Sequence, residues 1–182
     1  MKTVFENTIV KLEAQLRMTG AMDVGATCLL LFSRLEQGSR ILYFANIGDT
    51  RATICSGGKG VRITTDHKAT EPTEINRVRK EGGMIMNNRL GGQLAVTRAL
   101  GDFGMKNHCL TSTPEFIRRQ IFAGDDFLII ATDGLWDVMD DQRAVDIVLK
   151  SPNISAAANN LVEIALKEGT MDNITVLVVN LR

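Results

Sequence analysis

Four short strand-like segments lie within residues 26–63, and their close spacing restricts the chain to folds that contain antiparallel sheets. Turn-forming residues separate them, with glycine at Gly38 and again at Gly57 and Gly58. Turns this short join strands that run in opposite directions. We therefore predict an antiparallel meander of four strands, at 28–32, 41–45, 51–55 and 60–63.

The rest of the chain contains both helical and strand patterns. Helices are predicted at 3–18, 72–81, 141–150 and 155–168, the last with Ser155 as its N-cap, and strands at 116–122, 127–132 and 174–179. Pro72 and the pair Gly82-Gly83 bracket the second helix, as expected of helix start and stop signals. Because groups of strands are interrupted by helix pairs, the pattern predicts an α+β fold rather than a regularly alternating α/β fold.

The composition is typical of one globular domain spanning residues 1–182. Basic and acidic residues number 21 each, which removes the electrostatic basis for binding nucleic acid or an anionic membrane. The three cysteines form no CxxC pair, and this favours a reducing compartment, the cytoplasm or the nucleus. No apolar run approaches the ~20 residues of a membrane helix. The classes that remain are an enzyme and a protein-binding module.

Two carboxylates follow the apolar strand pattern at 127–132. Asp133-Gly134 comes directly after it, and Asp137 stands four residues after Asp133. If a helical turn begins at Gly134, the two carboxylates lie on the same side of it. Neighbouring carboxylates repel unless a cation lies between them, and hard oxygen ligands suit Mg²⁺ or Mn²⁺. The alternative, which spacing alone does not exclude, is that Asp133 caps a helix and Asp137 faces solvent.

Two further aspartates stand at predicted strand ends. Asp172 precedes the last strand, and Asp49 lies in the tight connection between the second and third strands. Taken alone, each fits ordinary turn chemistry, with Asp172 in an Asx turn and Arg51 as a local charge partner of Asp49. Strand ends that are distant in sequence can nevertheless converge in a layered sheet. All four aspartates are therefore candidate metal ligands.

Five short motifs follow one another along the chain, at 48–51 (GDTR), 65–68 (TDHK), 94–102 (LAVTRALGD), 133–137 (DGLWD) and 172–176 (DNITV). Their order resembles that of protein phosphatase 2C, the family of metal-dependent serine/threonine phosphatases. Gly25-Ala26-Thr27 is similar to a Gly-Ser-Thr-Ala element of the same family. Each motif is weak alone, but their joint order is specific, and the resemblance runs from about residue 3 to residue 180.

The resemblance implies a central sandwich of two antiparallel sheets flanked by helices, with divalent ions at one end. It implies that a water activated by these ions attacks phosphorus in line. Asp133 and Asp172 match ligands of one of the paired ions, and Asp49, Asp133 and Asp137 match ligands of a third, more loosely held ion. Positions whose implied role is structural are Asp66, His67, Lys68 and Arg98.

One family element has no match in these 182 residues. The family's bridging aspartate and catalytic-acid histidine come from an Asp-Gly-His-Gly element, whereas this sequence has one Asp-Gly pair, Asp133-Gly134. Its two histidines, His67 and His108, do not follow glycine. We therefore expect an N-terminally incomplete domain that binds Mg²⁺ or Mn²⁺ weakly and is weakly active or inactive alone. The resemblance leaves the catalytic residues unknown.

Three interpretations follow. The chain is a phosphatase acting on phosphoproteins, a non-catalytic pseudophosphatase that binds or regulates a protein partner, or a truncated fragment. Absent strands would leave sheet edges open, and open edges invite pairing with another chain. The sequence therefore predicts a homo-oligomer or a strand-exchanged dimer.

Overall fold

The computed structural model describes residues 1–20 and 22–182, which form two compact units. Unit 1 comprises Met1–Phe32, Tyr43–Asp49 and Asp66–Ile117, and unit 2 comprises Ser33–Leu42, Thr50–Thr65 and Arg118–Arg182. The assignment of residues 1–182 to a single domain stays a prediction.

Helices and antiparallel strands are both present, so the predicted α+β fold class is confirmed. The helices are α1 (Lys2–Met18), α2 (Pro72–Lys80), α3 (Asp133–Trp136), α4 (Asp141–Lys150) and α5 (Ile154–Lys167), with a 3-10 helix at Phe103–His108. The strands are β1 (Gly25–Ala26), β2 (Cys28–Glu36), β3 (Ser39–Ile47), β4 (Arg51–Ser56), β5 (Lys59–Arg62), β6 (Ile85–Met86), β7 (Arg89–Leu90), β8 (Leu100–Gly101), β9 (Glu115–Gln120), β10 (Asp125–Ala131) and β11 (Val176–Asn180). In the described residues, no helix is long and apolar enough to cross a membrane.

Unit 1 has two apolar clusters. In α1, Phe5 and Ile9 are buried one helical turn apart, as the predicted amphipathic pattern requires. Ile9 packs with Ile47 of β3 and Leu100 of β8 in the first cluster. The second cluster surrounds Val78 of α2. Its other buried members are Leu90, Ala99, Met105 and Leu110.

Unit 2 is built on a four-stranded sheet in the order β11-β10-β4-β5. Its neighbouring strands are antiparallel, and β10 is paired on both sides, with β4 and with β11. Helices α4 and α5 cover a core in which Ile129, Val145 and Leu161 are buried. Ala131 at the end of β10 pairs with Val176 at the start of β11. This register places the segment after β10 beside the segment before β11.

The predicted four-stranded meander is wrong beyond its two hairpins. β2 and β3 belong to a three-stranded sheet with the order β2-β3-β9, whereas β4 and β5 belong to the four-stranded sheet of unit 2. The chain changes sheet at the turn that follows Ile47. Gly48 has a φ of +100° there, a conformation that side chains rarely tolerate. After this turn β4 pairs with β10 and β5.

Helix α5 also begins differently from the prediction. Its N-cap is Asn153, not Ser155, because the Asn153 side chain accepts a hydrogen bond from the Ala156 N–H at 2.9 Å. Asn153 has extended backbone angles, so the helix starts at Ile154. Asp140 caps α4 in the same way, accepting from the Arg143 N–H at 2.8 Å.

Candidate functional site

Hydrogen bonds join the segments that carry Asp133 and Asp172 in unit 2. Thr132 N–H donates to the Thr175 carbonyl at 3.2 Å, and Thr175 N–H donates to Thr132 Oγ1 at 3.0 Å. The Thr132 hydroxyl also donates to the Asn173 carbonyl at 3.2 Å. These contacts continue the β10–β11 ladder past the last strand residues. The two predicted ligands therefore lie on adjacent, mutually hydrogen-bonded segments.

Gly134 permits this close approach. A Cβ at position 134 would lie 2.4 Å from the Asn173 carbonyl oxygen, well inside van der Waals contact. Gly134 is also buried within the short helix α3. The glycine of the Asp-Gly pair is required because the backbone of 172–175 occupies the space that a side chain would need.

Helix α3 places its two aspartates at opposite ends of one turn. Asp133 is the first helical residue, with Thr132 rather than Asp133 at the N-cap position. Asp137 follows the last helical residue, and its N–H donates to the Asp133 carbonyl at 2.8 Å. Asp133 is half-buried and Asp137 is exposed. The α3 turn thus presents both carboxylates near the β10 end, with Asp137 the more accessible to water.

Asp137 and Asp172 line the same open pocket of about 510 Å³. Thr170 and Met171 contribute to its wall. Asp172 is exposed, and its Oδ1 accepts a hydrogen bond from the Asn173 N–H at 2.7 Å. This bond joins adjacent residues, so it is not the Asx turn that the sequence allowed, in which the carboxylate accepts from the N–H two residues on. The pocket is therefore a water-accessible site with two carboxylates on its rim.

A cluster of side chains around Arg51 contacts α3 and the start of α4. Trp136 Nε1 donates to the Ala131 carbonyl at 2.9 Å, and the Arg51 guanidinium lies 5.0 Å from the centre of the Trp136 ring. Arg51 Nη1 is 3.7 Å from Asp141 Oδ2, and Arg62 Nη2 is 2.6 Å from the same oxygen. Burial tends to raise the pKa of Asp141, but hydrogen bonds from Arg62 and Thr53 and the charge of Arg51 lower it.

Sequence reasoning did not find this cluster. Arg51 and Asp141 are far apart in the chain, and neither has a local signal that points to the other. The one indication was Arg51 itself, because a cation inside a predicted strand needs a partner when it is buried.

Asp49 lies in unit 1, in the turn after β3, and is 6% exposed. The turn is held by His67. Its side-chain Nδ1 accepts a hydrogen bond from the Gly48 N–H at 3.1 Å, and its backbone N–H donates to the Gly48 carbonyl at 3.0 Å. Burial, together with the charge of Arg98, lowers the pKa of His67 to about 4. The imidazole is therefore neutral at pH 7, which leaves Nδ1 able to accept. These contacts support a structural role for His67.

Arg98 contacts a buried carboxylate that the sequence did not reveal, Glu74 of α2. Arg98 Nη2 is 2.5 Å from Glu74 Oε1, and Arg77 Nη2 is 3.0 Å from Oε2. The Thr97 hydroxyl donates to Oε2 at 2.6 Å, and the Thr97 N–H donates to the His67 carbonyl at 2.8 Å. Burial tends to raise the pKa of Glu74, but the hydrogen bonds from Arg98, Thr97 and Arg77 prevail and lower it to about 2. The network connects α2 to the turn that carries Asp49.

The donor chemistry of the unit 2 site fits a hard divalent cation. Asp133, Asp137 and Asp172 offer carboxylate oxygens, the ligands that Mg²⁺ and Mn²⁺ prefer. Within residues 1–20 and 22–182, no three His, Cys, Asp or Glu side chains come close enough together to hold a metal ion. An ion held by fewer than three of these side chains would need waters to complete its coordination. The assignment of Asp133, Asp172, Asp137 and Asp49 as ligands stays a prediction.

Comparison with known proteins gives a consistent family. The sequence model of the protein phosphatase 2C family matches residues 1–174. Protein phosphatase 2C homolog 1 of Schizosaccharomyces pombe is 42% identical over 182 residues, which cover 98% of this chain and 52% of that protein. Protein phosphatase 2C homolog 1 of Saccharomyces cerevisiae is 45% identical over 145 residues, 80% of this chain and 51% of that protein.

The fold agrees with these relatives. The crystal structure of serine-threonine phosphatase 2C from Toxoplasma gondii superposes with a TM-score of 0.79 at 25% identity, covering 97% of this chain and 64% of that one. The chain spans about half the length of the curated relatives that it matches. With the family's motifs in order, its sequence model matched over residues 1–174 and the same fold, this chain belongs to the protein phosphatase 2C family of serine/threonine phosphatases.

Proposed function

We propose that this chain forms part of a Mg²⁺- or Mn²⁺-dependent phosphatase that hydrolyses phosphoserine and phosphothreonine in proteins. Asp133 and Asp172 are proposed to hold one ion, and the family resemblance assigns Asp49, Asp133 and Asp137 to a third, more loosely held one. The observation that carries the proposal is the hydrogen-bonded pairing of segments 132–137 and 170–175. It sets carboxylates beside an open pocket at the end of β10.

The ions, when bound, lower the pKa of a water and neutralise phosphoryl oxygens during attack on phosphorus. The chain's own residues supply the geometry for this chemistry. Gly134 lets the two loops approach, and the α3 turn fixes the spacing of Asp133 and Asp137. The exposed position of Asp137 and Asp172 leaves room for a phosphoprotein segment and for the waters that complete a weakly held cation.

The 182-residue chain by itself is proposed to be weakly active or inactive. The bridging aspartate and the catalytic-acid histidine of the family have no counterpart in its sequence. His67 does not replace that acid, because it is 2% exposed and accepts a hydrogen bond from Gly48 in its neutral form. Loss of a general acid alone costs about 10²–10⁴-fold in rate.

The proposal is tested by measuring Mn²⁺ binding and phosphopeptide hydrolysis in parallel. Titration of free Mn²⁺ by electron paramagnetic resonance gives the affinity, and release of phosphate from a phosphothreonine peptide gives the rate. We expect weak Mn²⁺ binding that Asp133→Ala reduces at least about 10-fold, as expected for a ligand. The matched control is Asp146→Ala, which removes a carboxylate from α4, where it bonds Gln142 away from the site. Equal affinities in the two variants would refute the metal assignment.

The second candidate function is a pseudophosphatase that recognises a protein or phosphoprotein without hydrolysing it. The sequence observation that favours it is the unmatched Asp-Gly-His-Gly element. It predicts phosphopeptide binding that persists in EDTA and in Asp133→Ala. Binding that disappears in both conditions supports the metal-dependent enzyme instead.

We also propose that copies of the chain associate. β11 is an outer strand of the unit 2 sheet, and its Leu177 is 53% exposed. Outer strands with exposed apolar side chains pair readily with other chains. Light scattering after size-exclusion chromatography at micromolar concentration is expected to give a dimer or larger species, and a stable monomer would contradict it.

We further propose that the protein is located in the cytoplasm or the nucleus, because its cysteine content favours a reducing compartment.

A further inference from the structure

We infer that Arg51 is a positioning residue for the segment that carries Asp137, an inference that rests on the proposed metal site. Arg51 opens β4 and its side chain is 8% exposed. Its guanidinium lies over the Trp136 ring at 5.0 Å and 3.7 Å from the Asp141 carboxylate. Trp136 ends α3 and Asp141 begins α4, so one cation contacts both ends of the connection 137–140.

The connection depends on such contacts because α3 is too short to be stable by itself. A four-residue helix has almost no internal hydrogen bonds, and isolated helices of this length do not persist in water. Trp136 is held on one side by its bond to Ala131 and on the other by Arg51. Asp137 is the next residue, and its backbone N–H donates to the Asp133 carbonyl at 2.8 Å, so its backbone position depends on the same turn as Trp136.

The chemistry of the contact requires arginine. A guanidinium can stack on an aromatic ring with its face while its edge pairs with a carboxylate, whereas an ammonium is a point charge that cannot do both equally well. Methionine keeps a similar length and the apolar packing but removes both interactions. Arg51→Met is therefore the informative change.

Removing Arg51 does not leave the Asp141 charge buried and unpaired. Arg62 Nη2 remains 2.6 Å from Asp141 Oδ2, and the Thr53 hydroxyl donates to the same carboxylate. The backbone pairing of residue 51 with Ala131 does not depend on its side chain. The variant should keep the sheet while loosening the connection 137–140.

Two arginines serve as matched controls. Arg62 contacts Asp141, so Arg62→Met tests loss of charge on the same carboxylate. Arg119 lies over the Phe122 ring at 5.2 Å and pairs with buried Asp125 at 3.1 Å. Arg119→Met thus removes an equivalent ring and carboxylate contact at the opposite end of β10.

The experiment uses the full chain and three measurements. Trp136 is the one tryptophan in the sequence, so acrylamide quenching of fluorescence reports on this segment alone. Amide hydrogen exchange over residues 134–140 reports its local opening. Electron paramagnetic resonance with Mn²⁺ as the probe gives metal affinity.

For Arg51→Met we expect greater quenching and faster exchange over 134–140 than in either control, and a Kd for Mn²⁺ raised about 10-fold, the usual effect of losing a residue that orients a ligand. Quenching and exchange equal to the controls would overturn the role of Arg51. If the wild-type chain binds no Mn²⁺, the proposed metal function fails, while quenching and exchange still decide on Arg51. If Arg51→Met does not fold, the substitute variant is Asp141→Asn, which removes the charge that orients Arg51. Asp141→Asn must then increase acrylamide quenching and amide exchange over 134–140, or the inference is refuted.

Discussion

The buried carboxylate of Glu74 offers the sharpest test of how unit 1 is held together. Its side chain is 3% exposed and receives hydrogen bonds from Arg98, Arg77 and Thr97. Glu74→Gln keeps the size of the side chain but removes its charge and one of its acceptor oxygens. Two arginines then remain beside a neutral amide whose nitrogen cannot accept their hydrogen bonds.

The magnitude follows from the pKa. Burial alone would raise it, but the hydrogen bonds lower the pKa of Glu74 from 4.5 to about 2, and each pKa unit corresponds to about 1.4 kcal/mol. The ionised carboxylate therefore contributes about 3 kcal/mol to folding. Breaking a buried ion pair by removing one partner costs about 3–5 kcal/mol, which agrees. Because the folded-state pKa is the lower one, this stability is fully present above pH 4.5 and is lost as the pH falls toward 2.

The assay is urea unfolding followed by circular dichroism from pH 7 to pH 2.5, with amide exchange of Thr97 as a local probe. We expect Glu74→Gln to lower the free energy of unfolding by about 3 kcal/mol at pH 7 and to flatten its decline below pH 4.5. The control is Glu163→Gln on α5, which removes an exposed pair with Lys167 and should cost less than about 1 kcal/mol. If Glu74→Gln had the same free energy of unfolding as wild type at every pH, as the control nearly should, the reasoning would be refuted.

Two further predictions concern the turn at Gly48 and the approach at Gly134. Burial and the Arg98 charge lower the pKa of His67 from 6.5 to about 4, so the unfolded chain binds the extra proton first and stability should fall by about 3 kcal/mol as pH drops from 6.5 to 4. His67→Asn, whose amide oxygen can still accept from Gly48, is expected to remove that decline in urea midpoints, and an unchanged slope would show that another group titrates. Gly134→Ala places a Cβ 2.4 Å from the Asn173 carbonyl oxygen and should destabilise unit 2 by about 1–3 kcal/mol in urea unfolding followed by Trp136 fluorescence. Gly104→Ala, where the close neighbour is the movable Asp23 side chain at 3.2 Å, should cost clearly less, and equal costs would mean that the contact with Asn173 is relieved easily.

Local elements were the most predictable part of the fold. α1, α2, α4 and α5 lie within one residue of their predicted bounds, because apolar periodicity and start or stop residues act over a few positions. The capping of α5 differed because Asn153 and Ser155 are both good N-caps, and only backbone angles distinguish them. Sheet membership was less predictable, since hydrogen bonding between strands depends on chain direction after each turn.

In the candidate site, too, the residues were predictable from the sequence but their spatial arrangement was not. Asp133 and Asp172 were identified because each stands next to a predicted strand in a short motif, and Asp137 because it follows Asp133 by four residues. The approach of segments 132–137 and 170–175 required the β10–β11 register, in which Ala131 pairs with Val176. No local pattern specifies that register.

The sequence by itself determined the α+β class, the protein phosphatase 2C family and the carboxylates that are candidates for a metal. Those features depend on residue type and order along a short stretch of chain. Only the tertiary structure revealed the partners of the buried charges, Asp141 for Arg51 and Glu74 for Arg98. Each pair joins residues from different elements, and burial makes each charge require a partner whose identity depends on packing rather than on sequence distance.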